Sequence, residues 1–75
     1  MKNLVLYNNS IDERAAKYLA DFLQCPCMFN FTDSKYDDAE NLYGIGGGNF
    51  PYKAIVLKGS DRYATAQAVL NYINK

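Results

Sequence analysis

Seventy-five residues, 49% of them apolar, make one small domain rather than a disordered tail. At this length only about 60 to 65% of the unfolded chain's surface can be buried, so a lone copy must be tightly packed or oligomeric. Eight basic residues cancel eight acidic ones, which removes the electrostatic argument for a nucleic-acid or membrane partner, and no histidine with only two cysteines leaves no zinc site.

Leu4-Val5-Leu6-Tyr7 is a compact apolar run ended by Asn8-Asn9, and predicts a first strand covered on both faces. Ser10 is placed to cap a helix with Glu13 in capping-box position. Ile11, Ala15, Tyr18, Leu19, Phe22 and Leu23 recur at helical spacing to about residue 24, leaving Asp12, Glu13, Lys17 and Asp21 for the wet side. Pro26 stops that helix, and Cys27-Met28-Phe29-Asn30-Phe31 reads as a second strand. Cys25 and Cys27 are too close for an unstrained disulfide and lack the CxxC spacing, so they read as two buried thiols.

The polar, acidic run from Thr32 to Asn41 predicts a loop with at most one helical turn. Leu42-Tyr43-Gly44-Ile45 is a weak third strand, and Lys53-Ala54-Ile55-Val56-Leu57-Lys58 a clear fourth. The connection between them is shorter than the dozen residues of a usual parallel crossover, so either this pair is antiparallel or the third element is not a strand. A closing helix starts at Ser60 as N-cap, with Asp61 in its first turn, and runs through Val69, Leu70, Tyr72 and Ile73. Seven tyrosines and four phenylalanines exceed what so small a core takes, so some rings are expected at a surface.

No stretch approaches membrane-spanning length, and the few apolar residues after Met1-Lys2-Asn3 fall short of a secretion signal, so the chain as given reads as cytoplasmic or as a fragment of something larger. Residues 1–40 carry four basic and seven acidic groups, whereas 41–75 carry Lys53, Lys58, Arg62 and Lys75 against Asp61 alone. An anion site is therefore expected in the second half.

Gly44-Ile45-Gly46-Gly47-Gly48 is not a nucleotide loop. Asn49 stands where a dinucleotide fingerprint needs glycine, Phe50-Pro51 prevents an immediate helix, and the Gly-Lys-Ser/Thr of a P-loop is absent. Catalysis also lacks its parts: there is no histidine base, no serine with a neighbouring base, and Asp37 and Asp38 are adjacent and project apart. No catalytic residue, metal or cofactor is expected. The junction Gly59-Ser60-Asp61-Arg62-Tyr63-Ala64-Thr65-Ala66 is different, because a strand end meets a helix start there and brings together a capping carboxylate, a five-donor guanidinium and an aromatic face. Arg62 suits a phosphate or carboxylate ligand, or a salt bridge to Asp37, Asp38 and Glu40.

That run, preceded by Ile45-Gly46-Gly47 after a strand, resembles the cell wall binding repeat 2 family of Gram-positive surface proteins. The resemblance covers Leu42 to about Ile73 well, and residues 4–31 in their βα order. It implies one α/β module of residues 1–75, a small Rossmann-like or flavodoxin-like sandwich with a mostly parallel or mixed sheet of three or four strands and two main helices. It further implies noncovalent binding of an anionic cell wall polymer, at the wall if the chain belongs to an exported protein, through Gly46, Gly47, Lys58, Ser60, Asp61, Arg62 and Tyr63. Modules of that family pack in threes, so a homo-trimer, or else a homo-dimer, is expected. The alternative is a cytoplasmic or phage-borne interaction domain that contacts another protein or itself without catalysis.

Overall fold

Leu4, Val5 and Leu6 are all buried, because β1 (Asn3–Tyr7) lies inside a four-stranded sheet of order β2-β1-β3-β4 with β2 (Cys27–Phe29), β3 (Asn41–Ile45) and β4 (Ile55–Leu57). The structure, a computed structural model, describes residues 2–30, 36 and 39–74. The expected loop turn, and Phe31 at the end of the expected second strand, lie outside the described residues.

Alternation along the strands sends Val5, Tyr43 and Ile45 to one face, against Ala15, Ala16, Leu19 and Ala20 of α1 (Glu13–Leu23) and Val69 of α2 (Arg62–Ile73). Leu4, Leu6 and Leu42 point the other way. Among the described residues they are covered by Ala39 and the half-buried Tyr36, Phe50 and Ala54. Gly44 of β3 lies under Phe50: a Cβ there would collide with the ring, so the bare backbone lets the loop close on the sheet.

All three strand pairings are parallel, including β3 with β4, where Tyr43 stands opposite Ile55 and Ile45 opposite Leu57. The expectation that this pair is antiparallel, or that the third element is not a strand, is overturned. The segment from Gly46 to Ala54 spans up to about 30 Å, ample to return along a three-residue strand without a helix. It turns at Gly46 and Gly48, both with positive φ, and again where the Ala54 amide donates to the Pro51 carbonyl at 2.9 Å.

Two helix starts differ from expectation. Helix α1 begins at Glu13 with Asp12 as N-cap, and the Ser10 capping box does not form. Instead the Asp12 amide donates to Asn9 Oδ1 at 3.0 Å, and the Asp12 side chain is turned inward at 7% exposure, away from the wet side. The core face of α1 is also narrower than its apolar spacing suggests. Ile11, Tyr18 and Phe22 are exposed, and alanines do most of the packing. Tyr18 and Phe22, with Phe29, Tyr52 and Tyr63, supply the surface rings expected from composition.

Cys25 and Cys27 are half-buried free thiols rather than fully buried ones. Burial, then the charge of Glu13, pushes Cys27 from the ordinary 9.0 up to about 11. The hydrogen bond shared by the Tyr43 and Tyr72 hydroxyls at 3.4 Å, together with burial, raises Tyr43 from 10.0 to about 12. In both cases the folded chain keeps a proton that the unfolded chain gives up, so stability contributed below pH 9 is lost as pH rises through about 9 to 12. Urea denaturation should therefore give a lower midpoint at pH 10.5 than at pH 8, by a margin that shrinks in Cys27→Ala and Tyr43→Phe. Equal midpoints in the parent chain would contradict the assignment.

Candidate functional site

The turn from β4 into α2 is built by its own polar groups. Asp61, not Ser60, is the N-cap: its Oδ1 accepts the Ala64 amide at 2.8 Å. Ser60 is exposed. Thr65, only 2% exposed, accepts the Gly59 amide on Oγ1 at 3.0 Å and so ties the end of the strand to the first turn of the helix. Most of the Gly59–Ala66 run is therefore consumed in making the junction, and Arg62 and Tyr63 are what it presents outward.

Arg62 holds its guanidinium carbon 5.3 Å from the centroid of the Tyr63 ring, which is 73% exposed. The alternative salt bridge to Glu40 does not form, because Glu40 precedes β3 at one end of the parallel sheet while Arg62 follows β4 at the other. Asp37 and Asp38 lie outside the described residues. Lys58 is exposed beside the same turn.

The two glycines expected at the site play unequal parts. Gly46 has φ +89° and lies against Asp12, so that a Cβ would fall on the Asp12 carboxylate; around Gly47 a Cβ would meet nothing within 4 Å. Beside them the strand ends are sutured by amides. Asn8 Nδ2 donates to the carbonyls of Gly47 (3.2 Å) and Asn49 (3.0 Å), and Asn30 Nδ2 donates to Asn8 Oδ1 and the Asn49 carbonyl, both at 2.9 Å. The Tyr36 hydroxyl closes the network on Asn30 Oδ1 at 3.0 Å. Open parallel sheets usually receive ligands beyond their carboxyl ends, where the strand order reverses. Here the chain's own asparagines fill that position.

A cleft of about 610 Å³ lies between the helices. One wall is Arg14, Ala15 and Tyr18 of α1 with Ser10 and Ile11 before it, and the other is Arg62, Tyr63 and Ala66 of α2. Of the expected site residues only Arg62 and Tyr63 line it; Gly46, Gly47, Lys58, Ser60 and Asp61 do not. Arg14 and Tyr18, which sequence reasoning did not single out for the site, line the same cleft as Arg62 and Tyr63. The available signal was the spacing of Ile11, Arg14 and Tyr18 along one side of α1, where the apolar periodicity assigns Ile11 and Tyr18 to the core.

Two guanidinium groups, of Arg14 and Arg62, line the cleft, and the neighbouring carboxylates are engaged elsewhere. Asp12 is buried, Asp61 caps α2, and Glu13 pairs with Lys17 at 3.1 Å, raising the Lys17 pKa. Neither arginine has a carboxylate partner among the described residues. No group of three or more potential metal ligands occurs among them either.

No family model and no curated protein matches the chain. Solved structures do. A chain from the crystal structure of the CTP1L endolysin, whose activity is regulated by a secondary translation product, is 44% identical with a TM-score of 0.89, covering 99% of this chain and 98% of that one. The C-terminal domain of the CTP1L endolysin, in a valine-to-proline mutant that reduces autoproteolysis, is 42% identical with a TM-score of 0.90, covering 100% of this chain and 98% of that one.

Three substitutions test these roles by chemical denaturation. Asp61→Ala should cost about 1 kcal/mol, as the loss of a helix cap does. Gly46→Ala combines a positive φ with a collision against Asp12 and should cost at least about 2 kcal/mol. Gly47→Ala should stay within about 0.5 kcal/mol of the parent. A Gly46→Ala chain as stable as Gly47→Ala would show that the Asp12 contact is dispensable.

Proposed function

We propose that this chain, which belongs to the family of the CTP1L endolysin C-terminal domain, is a non-catalytic module that binds a cell wall polymer noncovalently. The observation that carries this reading is the end-to-end match to a C-terminal endolysin domain at above 40% identity. An endolysin acts on the cell wall, and a separate domain that holds the wall keeps its catalytic part at an immobile substrate. The resemblance of Gly59–Ala66 to wall-binding modules points the same way. The exposed Arg62 and Tyr63 offer what such a surface needs: a guanidinium for anionic groups and a ring for a sugar face. Lys58 adds charge beside them, Gly47 leaves room for close approach, and the module's place of work is the wall.

The chain acts as a single module, and self-association as a dimer or trimer is a second part of the proposal. It is favoured by β4, which exposes Ile55 and Val56 and, among the described residues, has no strand beyond it. Light scattering coupled to size exclusion checks this: a mass that rises with micromolar concentration is expected, and a constant monomer mass removes it.

Wall binding is tested by co-sedimentation with purified cell walls from a panel of Gram-positive bacteria. Retention on at least one wall, with α2 still folded by circular dichroism, is the expected outcome. Failure to sediment with any wall in the panel overturns the proposal.

A further inference from the structure

We infer that Cys25 and Cys27 form a two-coordinate site for a soft monovalent d10 cation, copper(I) or silver(I), held in line between their two sulfurs. The inference goes beyond the wall-binding reading and does not depend on it.

The backbone sets the two thiols side by side. Helix α1 ends at Gln24 in the left-handed conformation, with the Cys25 amide still donating to the Ala20 carbonyl at 3.0 Å. Pro26 then disfavours helical backbone at Cys25 and fixes its own φ, so the chain leaves the helix extended. Pairing with β1 begins at once, since the Pro26 carbonyl accepts the Val5 amide at 3.1 Å and Cys27 stands opposite Val5. Along extended backbone the side chains of residues two apart fall on one face. Burial follows that alternation: Cys25 and Cys27 are half-buried and both pack against the helix-side core, while Pro26 between them is exposed. Both thiols are free.

The span favours bonding both sulfurs to a third atom over bonding them to each other. Two steps of extended chain separate the α-carbons by about 6.6 Å, whereas disulfides cluster near about 5.5 to 6 Å and bring the sulfurs to about 2 Å. Closing that gap requires the chain to buckle, which the proline resists. A metal needs less: two metal–sulfur bonds of about 2.3 Å in line span about 4.6 Å, which staggered rotamers turned toward each other reach without moving the backbone.

The donor set selects the ion. Thiolates prefer soft cations. Zinc takes four ligands, and no third cysteine, histidine or carboxylate joins the pair among the described residues. Glu13, whose charge acts on Cys27, is held by Lys17 at 3.1 Å, and the Met28 thioether lies on the other face with Leu6. A monovalent d10 ion is satisfied by the two sulfurs that remain. On binding, each thiol releases its proton to solvent and each sulfur donates a lone pair to the metal, with no change of oxidation state. Burial raises both thiols above their ordinary 9.0, so at neutral pH the ion must displace two protons.

Anaerobic competition with the coloured copper(I) chelator bicinchoninate tests the site. The parent chain should withdraw one copper(I) per chain, and excess zinc should leave that binding unchanged. Its apparent affinity, corrected for protonation of the chelator, should rise about a hundredfold per pH unit between pH 6 and pH 8, because two protons leave per metal. Cys25→Ser and Cys27→Ser should each bind at least a hundredfold more weakly, with circular dichroism reporting the fold. A readout on the parent alone covers a variant that does not fold: copper loading should shield both thiols together from iodoacetamide, seen by mass as loss of the doubly alkylated chain. Failure to withdraw copper, a rise of only tenfold per pH unit, parent-like binding by either serine variant, or undiminished double alkylation would overturn the site. One copper per two chains would place the bridge between copies and overturn it equally.

Discussion

Burial of β1 on both faces is the constraint from which the rest of the architecture follows. A strand whose Leu4, Val5 and Leu6 are all sealed from water needs a covering layer on each side. The solution is unequal. The Val5 face receives α1 and α2, and the Leu4 and Leu6 face receives the loops that carry Ala39, Phe50 and Ala54. Both helices therefore stand on the same face of the sheet.

With both helices on one face, their mutual contact becomes the functional geometry. Alanines dominate the buried side of α1, so the helix sits low on the sheet, and larger apolar groups at Ile11, Tyr18 and Phe22 are left outside the core. The same economy appears at the carboxyl ends of the strands, where Asn8, Asn30 and Asn49 bond to one another and close the position that open α/β sheets commonly leave for a ligand. A cleft lies between the helices, lined by Arg14 and Arg62, while the nearby carboxylates cap, pair or turn inward.

The two glycines of the Gly46-Gly47 pair illustrate how one motif serves two purposes. Gly46 is required by the fold, since Asp12 occupies the space of its missing side chain, while Gly47 carries no such constraint. A similar division runs through Gly59–Ala66, where Asp61 and Thr65 hold the turn and Arg62 and Tyr63 face solvent. A motif can therefore point to a family while only part of it bears on binding.

The sequence by itself determined the α/β class, the βα beginning, the closing helix and the junction that exposes Arg62 and Tyr63. These depend on periodicity, punctuation by proline and glycine, and capping, all of which act within a few residues. Only the tertiary structure decided the direction of β4, the inward turn of Asp12, the exposure of Ile11, Tyr18 and Phe22, and the absence of an Arg62–Glu40 pair. Each of these depends on what lies across the sheet or beside the helix. Arg14 and Arg62 stand 48 positions apart in the chain, and no local pattern brings them to one cleft. They meet because a parallel sheet places the starts of both helices at the same end, on the same face.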